Sequence, residues 1–251
     1  MKKLILFASA LCMSVCTMAQ SEFYVYKKDG SSVQFTIADV DSISFTAPAT
    51  GTGTANGHEW VDLGLPSGTK WATCNVGATK PEEYGNYYAW GETETKTNYN
   101  WSTYKWCSGS AETQTKYCTD SSYGTVDNKT TLELEDDAAR ANWGGTWRMP
   151  TDDEWTELLE NCTRTWTSDY NGTGVAGRIV TSKINGNSIF LPAAGSRNDE
   201  DLGDAGYYGR YWSSSLITVF PDEAWFVFFS SDYVDRDFFY RFHGLSVRPV
   251  L

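Results

Sequence analysis

The sequence predicts an α+β domain with two helices, short antiparallel strands and long loops, preceded by a small N-terminal β unit. Three observations carry that expectation. Two segments place apolar residues at helical spacing, and many short segments alternate apolar with polar residues. Residues 80–130 are rich in Tyr, Trp, Thr, Asn and Gly with little periodicity, which reads as long loops. The chain has 251 residues, enough for one sizeable domain and an appendage.

Residues 1–19 read as a signal peptide. Lys2 and Lys3 supply the positive start, Leu4 to Val15 the apolar run, and Thr17-Met18-Ala19 a small-x-small cleavage site. The expectation is an exported protein of the periplasm, outer-membrane surface or extracellular space, with no transmembrane span after cleavage. Lipidation at Cys12 or Cys16 is the alternative, but Leu11 and Val15 stand where a small residue normally precedes a lipidated cysteine.

Residues 20–46 form the small β unit. Phe23 and Val25, then Val33, Phe35 and Ile37, alternate around a Lys28-Asp29-Gly30 turn, and Ile43 and Phe45 suggest a third short strand. Residues 47–57 are small and aperiodic and read as a linker. The main domain spans 58–251. It opens with EWVDLGLPSGTKWATCNVG, a pair of alternating strands around a Pro66-Ser67-Gly68 turn.

The first helix is expected in LELEDDAARANWG, with Ala138, Ala139 and Trp143 as its buried stripe. The second is TDDEWTELLENC. Thr151 and Glu154 form a capping box, Asp152 and Asp153 suit the positive end of the helix, and Trp155, Leu158, Leu159 and Cys162 share one face. RIVTSKINGNSIFLPAAG then reads as a hairpin over Asn185-Gly186, followed by strands in YYGRYWSSSL, AWFVFFSS and LSVRPV.

A net charge of −12 argues against a nucleic-acid partner, which requires clustered cations. Beyond the signal segment the cysteines are Cys74, Cys107, Cys118 and Cys162. Their even number in an exported chain suggests disulfides; of three possible pairings, Cys107–Cys118 and Cys74–Cys162 are favoured. No C-x-x-C pair is present, and His58 and His243 are lone residues, so no metal or cofactor site is expected. Asp199, Glu200, Asp201 and Asp204 are the one acidic group that could hold a structural calcium.

HEWVDLGLPSGTKWATCNVGA, YYAWGE, WGGTWRMPTDDEWTELL, LPAAG, YWSSS and GLSVRPV, in that order, resemble the FISUMP family, the Fibrobacter succinogenes major paralogous domain abundant in Bacteroides-like bacteria. The likeness spans most of 58–250. It implies a C-type-lectin-like fold, shared with formylglycine-generating enzymes, with two helices flanking a small twisted sheet. Those enzymes depend on cysteines in their C-terminal part, and none follows Cys162 here, so the expectation is a non-enzymatic protein. The calcium-and-sugar motifs of lectins of that fold (E-P-N, Q-P-D, W-N-D) are absent as well.

WFVFFSSDYVDRDFFYRFHG, from Trp225 to Gly244, carries nine aromatic residues. This region resembles the variable segments of C-type-lectin-like proteins rewritten by diversity-generating retroelements. In that layout Tyr211-Trp212-Ser213-Ser214, Ala224-Trp225, Val227, Ser231-Asp232, Val234, Arg236, Arg241, Gly244 and Ser246-Val247-Arg248-Pro249-Val250 are scaffold. The variable, ligand-binding positions are Ile217, Val219, Phe220, Asp222, Phe226, Phe228, Ser230, Tyr233, Asp235, Asp237, Phe238, Phe239, Tyr240, Phe242 and His243. Each can arise from an Asn codon by changing adenines alone.

Alternation assigns Trp225, Val227 and Phe229 to the core and turns Phe226, Phe228 and Ser230 outward. DFFYRFH does not alternate, so some of its rings are expected in solvent, where clustered aromatics mark contact sites. Asp235, Arg236, Asp237 and Arg241 would set polarity. The expected partner is a protein or glycan on another cell or host surface; a carbohydrate-binding module and a structural or adhesive subunit are the alternatives.

Overall fold

The computed structural model describes residues 22–27, 30–39 and 51–251. The signal segment and the third short strand at Ile43 and Phe45 lie outside the described residues. Contacts divide the chain into two units, Met1–Ala47 and Pro48–Leu251. In the first, β1 (Glu22–Tyr26) and β2 (Ser32–Thr36) form an antiparallel hairpin. Its register sets Phe23 opposite Phe35 and Val25 opposite Val33, so the four share one face, and the Phe23 and Phe35 rings stack at 5.1 Å. Ile37 leaves the strand and opens a 3-10 turn over Ile37–Asp39.

The segment read as linker contains β3 (Thr52–Ala55), paired with β4 (His58–Asp62), which in turn pairs with β5 (Lys70–Ala72). Asn56 and Gly57 both take positive φ (47° and 83°), the geometry of a two-residue hairpin turn. Trp60 lies over Gly53, where a Cβ would meet its ring at 2.3 Å, and Trp147 donates its indole N–H to the Ala55 carbonyl at 2.8 Å.

The first expected helix is split. Leu134–Asp136 is a 3-10 turn, Asp137 caps Arg140 N–H, and only Ala138–Trp143 is α-helical (α1). The predicted stripe of Ala138, Ala139 and Trp143 is buried. The second helix, α2 (Asp152–Asn161), carries the expected capping box, with Trp155 and Leu158 buried. Arg148 makes a two-pronged ion pair with Glu154, which also accepts from Thr69 and Thr151. Burial would raise the Glu154 carboxyl, but these donors hold it below the usual carboxylate range. Replacing Thr151 with alanine is expected to cost about 1 kcal/mol in urea unfolding, with Thr151→Ser close to wild type. A T151A protein as stable as wild type would show that the box adds nothing.

β6 (Cys162–Thr167), β7 (Gly177–Ser182) and β8 (Ser188–Pro192) form an antiparallel sheet, with β7 and β8 joined by the predicted Asn185-Gly186 turn. β9 (Ser196–Asn198) and β10 (Asp201–Gly203) make a small hairpin. β11 (Gly209–Leu216), β12 (Glu223–Phe229) and β13 (Val234–Tyr240) form the sheet that positions the candidate site. Trp212, Leu216, Ala224 and Phe226 face a core built with α1; Tyr211, Val227 and Phe229 face a second core built with α2. The expected strand in LSVRPV makes only single bridges: Leu245 to Tyr88, Ser246 to Tyr211, and Val250 to both Trp71 and Arg148.

The predicted α+β, C-type-lectin-like class does not hold. Strand accounts for 37% of the structure and helix for 14%, distributed over several small sheets with two short helices. The physical reason lies in what stops the helices and what fills the long loops. Asp137 interrupts the first helix, Gly144 ends it at a φ of 65°, and residues 80–130 hold 3-10 turns and isolated β-bridges but no α-helix.

Disulfides do not clamp those loops. All four described cysteines are free. Cys107 donates to the Trp101 carbonyl at 3.2 Å and Cys118 to the Asp120 carbonyl at 3.1 Å, so the two thiols point into different turns. Cys162 is buried in the α2 core, and Cys74 lies beside the Thr73 hydroxyl. Neither expected pair, Cys107–Cys118 or Cys74–Cys162, forms. Buried tyrosines take over the clamping role. Tyr87, Tyr99 and Tyr104 donate their hydroxyls to the carbonyls of Ala194, Tyr87 and Trp90 at 2.6–2.8 Å, and Tyr117 donates to Asp136 at 2.7 Å.

Candidate functional site

The β12–β13 hairpin carries most of the predicted ligand-binding residues, and β13 is the outer strand of its sheet. Its outward N–H groups are partly occupied locally: Asp235 accepts from Arg236 N–H at 2.8 Å and Asp237 from Phe238 N–H at 2.9 Å. Carboxylates placed this way discourage edge-to-edge pairing with another strand. The register sets Glu223 opposite Tyr240, Trp225 opposite Phe238 and Val227 opposite Arg236; on the other face, Phe226 is opposite Asp237 and Phe228 opposite Asp235.

Six predicted positions are buried and are corrected to core. Phe226 packs in the α1 core, 5.5 Å from Phe239. Ile217 and Asp222 are buried at the ends of β11 and β12. The Ser230 carbonyl accepts two bonds from Arg178. Phe242 joins a tyrosine-rich cluster with Tyr87, Tyr99 and Tyr104. His243 is sandwiched between Phe239 at 3.9 Å and Phe242 at 4.2 Å, and burial pushes its imidazole down to about 4, against the bond to the Arg197 carbonyl. It is therefore a neutral packing group near pH 7.

Seven positions are exposed: Val219, Phe220, Tyr233, Asp235, Asp237, Phe238 and Tyr240. Phe220 is 44% exposed, Phe238 37%, Tyr240 42% and Tyr233 48%, values that large rings reach only when little covers them. Phe228 and Phe239 are half-buried.

Three of the four exposed rings fall in two patches, and Tyr240 packs beside Trp101 and Phe242. In the first, Phe238 lies 5.9 Å from both Phe220 and Trp225, and Arg236 sits over the Trp225 ring at 5.6 Å while pairing with Asp152 at the start of α2. Trp225, expected in the core, is only half-buried and belongs to this patch. In the second, Tyr233 and Tyr208 each lie 5.2 Å from Phe228, with Arg210 over Tyr208 and Phe228.

Three contributors were not legible in the segment itself. Trp101, from the long loop region, packs edge-on against Tyr240 at 5.8 Å and Phe242 at 4.8 Å. Tyr208 lies outside the positions expected to vary, and its aromatic run with Tyr207 is the sequence signal for it. Glu223, opposite Tyr240, is half-buried and makes no ion pair among the described residues; burial, with Asp222 and Asp237 adding, pushes its carboxyl up to about 7.

Arg241 does not set surface polarity as expected. It is wholly buried, donating to the Tyr104 hydroxyl and to the carbonyls of Lys116, Tyr117 and Pro221, with Trp90 facing its guanidinium at 5.0 Å. It thus ties the end of β13 to the loop region.

Two of the four acids considered for calcium are engaged with other side chains. Asp204 pairs with Arg210 at 2.9 Å and Asp199 accepts from Asn100 at 2.8 Å. Among the described residues the acids that do converge are Glu133, Glu135 and Asp136, and the Lys116 ammonium sits among all three.

No family model matches the chain, and neither a curated protein nor a solved structure matches it.

Proposed function

We propose that this is an exported, non-enzymatic ligand-binding protein that recognises a protein or glycan on another cell or host surface through the β12–β13 hairpin. The supporting observation is a contrast across the hairpin and its approach: Phe220 before β12 and Phe238 and Tyr240 on β13 are exposed, while Phe226, Val227 and Phe229 anchor β12 in two cores. Rings held by a rigid frame lose little freedom on binding, which is what a contact surface needs. The motif likeness to the FISUMP family, and retroelement diversification of the exposed positions, belong to the same proposal. Reading the gene over residues 207–251 and its genomic surroundings tests the diversification. A near-copy differing mainly at adenines, beside a reverse-transcriptase gene, is expected; no copy would remove that part of the reading.

Glu223 adds a pH dependence. Its folded carboxyl titrates near 7 against an ordinary 4.5, so the native state holds a proton that the unfolded state releases between those values. Stability therefore falls as pH rises through that window. Glu223→Gln is expected to flatten the slope and to stabilise the protein above neutrality by about 1 kcal/mol, the discounted value for a partly solvated group. Parallel melting curves for wild type and E223Q at acid and alkaline pH would contradict it.

A second reading, an assembly role for the N-terminal unit, is favoured by one observation. Its hairpin gathers Phe23, Val25, Val33 and Phe35 on one face, with Val25 and Phe35 exposed. A lone two-stranded hairpin is marginal in water and gains stability by covering that face. Deleting residues 20–46, which spares β3, should abolish oligomers in light scattering if this role holds; unchanged mass would exclude it.

A further inference from the structure

An open cleft of about 370 Å³ is lined by Arg164 of β6, Arg178 of β7, Lys183 of the β7–β8 turn, Thr163, Asp232 and Tyr233. In a chain of net charge −12, three cations converge here, and none forms an ion pair among the described residues. The Lys183 ammonium donates to the Glu160 carbonyl. Arg178 is 8% exposed and spends its donors on the carbonyls of Arg164, Ser230, Ser231 and Tyr233, so it fixes the wall of the cleft. Burial and then the Arg164 charge both press the Arg178 guanidinium down, with Asp232 alone opposing. Three cations against the single carboxylate of Asp232 leave a local positive potential that an anion relieves.

We propose that this cleft binds one anionic saccharide unit, a sugar ring carrying a carboxylate or a sulfate ester. Arg164 and Lys183, which are the cations with donors to spare, meet the anionic group. The Thr163 hydroxyl and the Asp232 carboxylate suit ring hydroxyls. The exposed Tyr233 ring offers a flat apolar wall to the sugar's C–H face. The volume fits a single ring rather than an extended chain. The site shares Tyr233 with the Tyr208–Phe228 patch but no lining residue with the Phe220–Phe238 patch, and does not depend on the latter being a recognition surface.

The test is titration of the full protein, followed by amide NMR, with glucuronate, glucose 6-sulfate, glucose, inorganic sulfate and hexaglutamate. At least one charged sugar is expected to bind about tenfold or more tightly than glucose and than inorganic sulfate, shifting amides of residues 163–164, 178 and 232–234. Which of the two charged sugars wins identifies the anionic group. Arg164→Gln and Lys183→Gln, both changes of side chains outside the packed core, should each weaken it about tenfold, whereas a variant lacking Phe220, Phe238 and Tyr240 rings should bind it unchanged. Equal binding of glucose, no shift with either charged sugar, tighter binding of hexaglutamate, or inorganic sulfate bound as tightly as the sugars (an adventitious ion only) would each overturn the proposal.

Discussion

Arg248→Met is expected to lower the unfolding free energy by about 4 kcal/mol, because it leaves several buried acceptors without donors. Arg248 is wholly buried and donates to Asn75 Oδ1, to the Ala72 and Thr73 carbonyls and to the Phe190 carbonyl, all at 2.9–3.0 Å. Those acceptors belong to the end of β5, the segment just after it, and β8, so one guanidinium joins two sheets that share no strand. Methionine restores volume but no donor. Lysine restores charge without the planar fork, and Arg248→Lys should recover less than half of the loss. The loss is a large share of the about 5–15 kcal/mol that holds a typical domain together. Urea unfolding of the three proteins measures it; a methionine variant within experimental error of wild type would mean that the acceptors find water instead.

The second large effect is on binding. Phe220→Ala, Phe238→Ala and Tyr240→Ala combined should weaken ligand binding about 100-fold or more while lowering Tm by only a few degrees, since exposed aromatics act as anchors without supporting the core. The control is Phe226→Ala in the same hairpin, expected to cost about 3–5 kcal/mol of stability because it opens a cavity in the α1 core. Phe239 is left intact, because its ring stacks on His243 at 3.9 Å and its loss would confuse packing with recognition. A glycan array and a panel of displayed ectodomains, probed with wild type and the triple variant, supply the readout. Hits retained by the triple variant would refute the recognition role of this patch; collapse of its Tm would assign the rings to the core.

Much of the fold was legible where the deciding physics is local. The α2 capping box, the Trp155–Cys162 stripe and the Asn185-Gly186 hairpin depend on residues within one turn or one hairpin of each other. The Asn56-Gly57 turn was legible in the same way, but the small residues around it disguised β3 as linker. The candidate site was harder to read. Alternation along β12 indicates that two faces differ; it cannot say that both are covered, and here the α1 and α2 cores lie on opposite sides of the sheet. That is why Phe226 is inside rather than outward. The burial of Arg241 and the arrival of Trp101 beside Tyr240 depend on partners more than one hundred residues away, for which the sequence carries no periodic signal.

The threading of residues 245–251 among the sheets also bears on how the chain becomes native. Arg248 reaches Asn75 across 173 residues and Ala72 across 176. Closing loops of that size consumes chain entropy before any bond compensates, so the domain belongs among slow folders. While the chain is incomplete, the sheets it joins have no shared seam, and apolar faces such as those around Trp71 and Trp212 stay open to other molecules. Once the segment is seated it links distant parts of the domain at a stroke, and the folded unit should come apart in one step rather than sheet by sheet.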